Sequence, residues 1–181
     1  SEVEEIIKDN ERTLEEIRKR VEDVIREIRR LLERIERRVR EAIKRNEESL
    51  RRIKELVERG IDRRELEKLL RKDEEDVRRM LEELKRLLDE IRKRVKEAID
   101  ELERLLREDE KRADEVIRRI EDDELVRTLR ESLRRVAEEV KRLLKEVEDV
   151  AREVEDRVKK LIEDLRRSLE KSREDVERDS K

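Results

Sequence analysis

A few small polar side chains interrupt otherwise apolar stripes at a fixed spacing, and they are the residues best placed to do chemistry. Three pairs lie 36 residues apart: Asn10 and Asn46, Asp73 and Asp109, Ser132 and Ser168. A carboxylate withdrawn from water can serve as a general base or as a ligand of a hard cation. The same groups can also hydrogen-bond one another, since Asn and Ser supply the donors that a carboxylate accepts.

The spacing predicts that these polar residues meet in two layers. An apolar residue lies midway within each pair, namely Ile28, Ile91 and Val150. If consecutive helices run antiparallel, one offset for each helix pair aligns all three series. The first predicted layer contains Asn10, Asp109, Ser132 and, one turn away, Thr13. The second predicted layer contains Asn46, Asp73, Ser168, Ser49 and Ser172.

We interpret these layers as structural hydrogen-bond networks that fix the register and pairing of the helices. A metal site or a catalytic carboxylate is the alternative. Each layer has only one carboxylate, however, and a hard-cation site usually takes six or more oxygen ligands, several of them charged. We therefore predict no catalytic residue, no metal and no cofactor.

The composition narrows the possible functions further. The 181 residues include 54 Lys and Arg against 57 Asp and Glu, and no His, Cys, Pro or aromatic residue. The usual zinc, haem and iron–sulfur ligands, thiol chemistry and base-stacking side chains are therefore excluded. The nearly balanced charge argues against nucleic-acid binding. No apolar run is longer than two residues, which argues against a membrane span or a signal peptide.

A chain that is 61% charged could be disordered, but the placement of its apolar residues favours a folded helical protein. The apolar residues recur every eighteen positions, as in Val3, Val21, Val39 and Val57. Eighteen residues make five turns at 3.6 residues per turn, so the stripe stays on one face of a straight helix. The stripe is wide enough for a helix that faces two neighbours.

Two breaks divide the chain into three helices. Gly60 suits the left-handed position after a helix, and Asp62 with Glu65 resembles a capping box. The second break, around Asp122 and Asp123, is located by a change in the phase of the stripe, and either residue can cap the next helix. We predict helices over residues 2–59, 63–120 and 124–179, each about 57 residues and about 85 Å long. Short loops predict antiparallel neighbours in a single domain spanning 1–181.

The sequence resembles de novo designed, parametrically generated helical bundles with engineered hydrogen-bond layers. The resemblance rests on the polar layer residues, the strict eighteen-residue repeat, and a Leu/Ile/Val/Ala core under a Glu/Lys/Arg surface. It covers the whole chain, although the second loop lacks the usual Gly- or Pro-marked turn. It implies a very stable scaffold without a natural substrate.

The predicted fold class is therefore all-α, an antiparallel and nearly untwisted three-helix bundle forming a coiled-coil-like rod. The predicted function is a monomeric structural scaffold that requires no partner and binds neither nucleic acid nor membrane. The alternative is a homo-oligomer in which the helices act as a spacer, a fusion building block or an interaction module. An enzyme and a natural spectrin-like rod are less favoured.

Overall fold

The computed structural model describes residues 1–179, which are helical almost throughout. The three helices are α1 (Glu2–Glu58), α2 (Arg63–Ile117) and α3 (Asp123–Asp179), and no strand occurs among residues 1–179. The predicted all-α, three-helix class is confirmed. The helix ends differ from the predicted ones by one residue or none, except that α2 ends three residues early. The single domain predicted over 1–181 extends beyond the described residues and stays a prediction.

The buried face of each helix follows the eighteen-residue repeat. In α1 the repeat begins with the buried residues Val3, Ile6, Asn10, Thr13 and Ile17. The same five positions recur eighteen residues later, where they are buried or half-buried. A face that repeats at 3.6 residues per turn requires no supercoil to remain in contact with its neighbours. Burial of this stripe is what stabilises such long helices in water.

The chain groups into two compact units, each containing one segment of every helix. Unit 1 comprises Ser1–Ile28 and Ile91–Arg152. Unit 2 comprises Arg29–Glu90 and the described residues from Glu153 onward. Each unit contains one of the two predicted polar layers.

Ion pairs between helices define the directions of the segments in unit 1. Glu27 pairs with Arg94 at 2.9 Å, whereas Glu2, at the start of α1, pairs with Arg119 at 3.6 Å. Numbers rise along α1 as they fall along α2, so these two helices are antiparallel. Asn10 is hydrogen-bonded to Ser132, and Arg18 is hydrogen-bonded to Glu139. Residue numbers therefore rise in the same direction along α1 and α3, so these two helices are parallel.

Unit 1 buries an apolar cluster formed by all three helices. Its fully buried members are Val3, Ile6, Ala113, Val116 and Leu129. These side chains are small or branched, which allows three helices to approach closely around them. Ile6 and Ala113 of this cluster are each about one helical turn from Asn10 and Asp109, respectively.

Unit 2 has the same arrangement of helix directions. Arg38 of α1 pairs with Glu83 of α2, and Ser49, further along α1, bonds to Asp73, so these two helices are antiparallel. Glu36 of α1 pairs with Arg157 of α3, and Leu50 and Val176 share an apolar cluster further along both helices, so α1 and α3 are parallel. This second apolar cluster is formed by Leu50, Ile53, Leu66, Leu70 and Val176. Each unit is therefore an antiparallel arrangement of three helical segments around an apolar centre.

The loop after α1 is a Schellman motif. The Gly60 N–H donates to the Val57 carbonyl at 3.1 Å, and the Ile61 N–H donates to the Leu56 carbonyl at 3.0 Å. Gly60 has a φ of 86°, the left-handed conformation that this motif requires. The Asp62 carbonyl then accepts from the N–H groups of Glu65 and Leu66, which starts α2.

The loop after α2 turns without any left-handed residue. The N–H of Arg119 donates to the Val116 carbonyl at 3.0 Å, and that of Ile120 to the Ile117 carbonyl at 3.3 Å. Each of these hydrogen bonds joins residues three apart, as in a 3₁₀ turn, rather than four apart as in an α-helix. Residues 118–120 therefore form a turn, and α2 ends before the predicted residue 120. Asp122 is the cap of α3, because its Oδ1 accepts from the Glu124 N–H at 2.9 Å.

Replacing Gly60 by Ala should destabilise the protein through backbone strain alone. No atom lies within 4 Å of the position that the new Cβ would occupy, so no clash contributes. A left-handed residue with a Cβ costs about 1–2 kcal/mol, which guanidinium unfolding followed by circular dichroism can measure. Arg59→Ala, next to it, is the control because Arg59 does not have a positive φ. Equal midpoints for the two variants would contradict the prediction.

Candidate functional site: two buried polar layers

The residues predicted from the sequence to share a level are distributed in the same manner in both units. In each unit α1 contributes an Asn and a hydroxyl residue, α2 contributes an Asp, and α3 contributes one or more Ser residues. The first polar layer, in unit 1, is Asn10, Thr13, Asp109 and Ser132. The second polar layer, in unit 2, is Asn46, Ser49, Asp73, Ser168 and Ser172.

The first polar layer is connected across three helices. The Thr13 hydroxyl donates to Asp109 Oδ1 at 3.4 Å, and Asn10 and Ser132 are hydrogen-bonded at 3.2 Å. Asn10 is fully buried and Asp109 is 1% exposed. The same Oδ1 of Asp109 also accepts from Nη2 of the Arg112 guanidinium at 3.1 Å. The buried charge therefore has a cation and a hydroxyl as partners.

The Asn10 amide bridges Asp109 and Ser132. Its Nδ2 lies 3.1 and 2.5 Å from the two carboxylate oxygens of Asp109, and its Oδ1 accepts from the Ser132 hydroxyl at 3.2 Å. This orientation gives both ends of the amide a partner, because a carboxylate accepts and a hydroxyl can donate.

The second polar layer is connected less completely. The Ser49 Oγ lies 2.7 and 2.8 Å from the two oxygens of Asp73 and donates its one proton to them. Asn46 is 5% exposed, and among the described residues neither its Nδ2 nor its Oδ1 has a hydrogen-bond partner. Ser168 and Ser172 are half-buried and do not bond to Asn46. A buried amide without partners is costly to the folded state.

Burial changes the acidity of both carboxyl groups. Loss of water raises the pKa of Asp73 above its ordinary value of 3.8, and the Ser49 hydrogen bond opposes that rise only in part. Burial likewise raises the pKa of Asp109, against the charge of Arg112 and the Thr13 hydrogen bond. The two layers differ three residues further along α2, where Asp109 is followed by Arg112 but Asp73 is followed by Asp76. Asp76 repels the Asp73 carboxylate and raises its pKa further.

Arg112 is the participant that the sequence analysis missed. Its signal was available, because residues three apart on a helix are neighbours and Asp109 and Arg112 have that spacing. Sequence alone did not distinguish Arg112 from the many other charged residues of α2. Its role becomes visible only once Asp109 is known to be buried.

The layers offer little of what catalysis or metal binding needs. Each has a single carboxyl group that holds its proton more tightly than usual, with no paired nucleophile and base. Over residues 1–179 there is no group of three or more Asp and Glu side chains that could hold a metal ion. Within the same range, no helix is long and apolar enough to pass through a lipid bilayer.

Comparisons with known proteins concern the fold. No protein-family model matches the chain, and no curated protein matches it. Among solved structures it is similar to a computationally designed three-helix bundle, with a TM-score of 0.47 and 19% sequence identity. The alignment covers 99% of this chain and 89% of that chain.

The raised pKa of Asp73 predicts a pH-dependent difference between the parent and Asp73→Asn. In the window from 3.8 up to the raised value, the folded protein binds more protons than the unfolded chain. The contribution of Asp73 to the free energy of unfolding therefore falls as pH rises through that window. Asn does not titrate, so the Asp73→Asn variant does not show this fall. Unfolding curves between pH 4 and 7 should show Asp73→Asn gaining stability relative to the parent as pH rises.

A control separates this effect from a general loss of charge. Asp100 lies on the same helix and is exposed, so Asp100→Asn removes one negative charge without removing a buried carboxyl group. If Asp73→Asn and the parent give parallel pH profiles, the pKa of Asp73 is not raised in the folded state.

Proposed function

We propose that the chain is a helical scaffold in which two buried polar layers specify how the helices align, and that it has no catalytic role and needs no cofactor or partner. The observation that carries the proposal is that every hydrogen bond between two layer residues joins different helices. Asn10 bonds to α3, and Thr13 and Ser49 bond to the Asp residues of α2. Hydrogen bonds of this kind are directional and can be made in only one alignment.

The strict repeat means that apolar packing alone cannot specify how the helices align. If one helix slides by eighteen residues, apolar positions outside the polar layers again face apolar positions. The polar residues recur only every 36 positions, so the same slip places Asn10 opposite Ile91 and leaves its buried amide unpaired. Burying an unpaired amide costs about 1–3 kcal/mol, which penalises the slipped alignment.

A designed origin is part of the proposal. Its support is the strict repeat, the absence of His, Cys, Pro and aromatic residues, and the interleaved Glu, Lys and Arg surface. A scaffold needs a defined geometry but no reactive group. This set of residue types can form regular helices and lacks the thiol and imidazole groups common in catalysis. Light scattering tests the monomer, since a mass well above 22.4 kDa would instead support the self-assembling module.

Removing the Asp of the first polar layer should destabilise the protein more than removing the Asp of the second polar layer, which has fewer hydrogen bonds. Asp109→Ala leaves Thr13 and the Asn10–Ser132 pair without their acceptor, a loss of about 1–3 kcal/mol. Asp73→Ala strands only Ser49 and relieves the repulsion with Asp76, so its loss should be smaller. Guanidinium unfolding at pH 7 measures both, and the reverse order would contradict the assignment of partners.

Replacing both layers by apolar residues should preserve stability but lose the unique alignment. Each of the nine layer residues takes the type found eighteen positions away on its own helix, as in Asn10→Ile and Ser132→Val. Buried polar groups replaced in this complete way typically leave stability equal or higher.

Spin labels can report the alignment, because the chain has no Cys of its own. Arg20→Cys and Glu101→Cys place labels on α1 and α2 at residues that pair in unit 1. The parent should give one narrow distance, and the layer-free protein a broad or multiple distribution. A single unchanged distance in the layer-free protein would show that the polar layers do not specify register.

A further inference from the structure

Met80 is the one side chain of this sequence that peroxides attack readily. The chain contains a single Met and no Cys, His, Trp or Tyr. Thiols and thioethers are the usual protein targets of peroxides, and a thioether is oxidised to a sulfoxide. Whether the folded protein is open to this chemistry therefore depends on the surroundings of one sulfur atom.

Met80 lies in the wall of an open cleft between α1 and α2 in unit 2. The cleft has a volume of about 820 Å³, and Ala42, Val77 and Met80 supply part of its apolar surface. Ten of the eighteen residues in the wall are charged, so water and small polar molecules such as hydrogen peroxide can enter the cleft. Met80 is only half-buried, so part of its side chain is exposed there.

The eighteen-residue repeat shows that this exposure is a departure from the pattern. The residues eighteen and 36 positions after Met80 are Ala98 and Val116, and both are buried. In unit 1, Val116 belongs to the same apolar cluster as Ile6. Unit 2 has Met80 and Ala42 at the two corresponding positions, and both line the cleft. The one oxidisable side chain thus occupies a position that is enclosed elsewhere in α2.

The combination of a small Ala and a Met makes the packing of this wall depend on the thioether. Met is unbranched and flexible, so it can fill space that a short side chain leaves open. Val77, one turn before Met80 on α2, is buried, and Ala42 of α1 is half-buried. A sulfoxide is polar and favours water over apolar neighbours, so oxidation should weaken the packing of this wall.

We propose that Met80 is a site of reversible oxidation in the folded protein, and that its sulfoxide weakens the packing between α1 and α2 in unit 2.

The reaction needs only a peroxide as the oxidant. A lone pair of the Met80 sulfur attacks one oxygen of hydrogen peroxide, the S–O bond forms as the O–O bond breaks, and hydroxide leaves. The proton on the transferred oxygen passes to that hydroxide, which gives water and the sulfoxide. Sulfur loses an electron pair and the peroxide gains it. Thiol-dependent sulfoxide reductases reverse the change, one enzyme for each sulfoxide epimer.

Treatment of the folded protein with hydrogen peroxide tests the site. Mass spectrometry after proteolysis should locate a single added oxygen on the peptide that contains Met80. The Met methyl signal should move in the NMR spectrum, and it is assigned without ambiguity because the chain has one Met. The two reductases should restore the original mass and signal. A protein that takes up no oxygen under conditions that fully oxidise free methionine would overturn the proposal.

The rate of oxidation shows whether the folded state reacts. Low concentrations of guanidinium, below the unfolding transition, should leave the rate nearly unchanged, because the cleft already admits peroxide. A rate that rises in proportion to the unfolded fraction would place the reaction in the unfolded chain and refute the proposal. This measurement uses the unaltered protein and does not depend on any variant folding.

Amide hydrogen exchange measures the effect on packing. In the oxidised protein the amides of α2 next to Met80 should exchange roughly threefold to tenfold faster, whereas those around Val116 in unit 1 should change less. Exchange rates near Met80 that are equal before and after oxidation would show that the sulfoxide does not weaken unit 2.

Two variants supply matched controls. Met80→Leu removes the thioether with little change in volume, so peroxide should neither add oxygen nor alter amide exchange. Met80→Leu combined with Leu84→Met keeps the composition and moves the thioether about one turn along α2, to a fully buried position. This double variant should be oxidised roughly tenfold more slowly than the parent or slower still. Equal rates for the parent and the double variant would contradict a reaction that depends on the cleft.

Discussion

The strict eighteen-residue repeat is the constraint on which the remaining features of this protein depend. It keeps the buried stripe on one face of each helix, so long helices can pack without supercoiling. It also makes successive levels of the core alike, because Val, Ile and Leu recur at the same positions. Apolar contacts are not directional, and their strength depends on area rather than on identity. A core of this kind stabilises the packed helices strongly, but it distinguishes poorly between one alignment of the helices and another.

In the function that we propose, the polar layers are the part of the core that distinguishes alignments, and the two layers differ in their chemistry. In unit 1 the buried carboxylate of Asp109 has a cation, Arg112, three residues away, and donors from α1. In unit 2 the equivalent carboxyl, Asp73, has an acidic neighbour, Asp76, and accepts from Ser49. A buried charge is tolerated when it is paired and hydrogen-bonded, and otherwise the group tends to hold its proton. The two layers are thus similar in residue type and position but different in how each accommodates its acid.

Periodicity made most of the fold predictable from sequence, but the hydrogen-bond partners of individual side chains were not predictable in this way. The stripe located all three helices, and Gly60 located the first loop because few other residues tolerate its left-handed conformation. The end of α2 was misplaced because three-residue hydrogen bonds at Arg119 and Ile120 leave no composition signal. The spacing predicted that Asn46 and Asp73 lie at one level, yet it could not show that the Asn46 amide lacks a partner. Whether a buried amide finds a partner depends on interatomic distances and angles, which a pattern of polar and apolar residues does not encode.

The incomplete second layer follows from the conflict between repetition and polar satisfaction. An apolar position tolerates a change of size with a modest loss of packing, since its neighbours can relax into part of the space. An amide tolerates no such change, because hydrogen bonds require atoms at about 3 Å in defined directions. Ala42 and Ser49 of unit 2 stand where unit 1 has Ile6 and Thr13, so Asn10 and Asn46 lie between side chains of different size. In a core built from a strict repeat, the polar positions are where small departures from the repeat have the largest consequences, because an unpaired polar group is costly when it is buried.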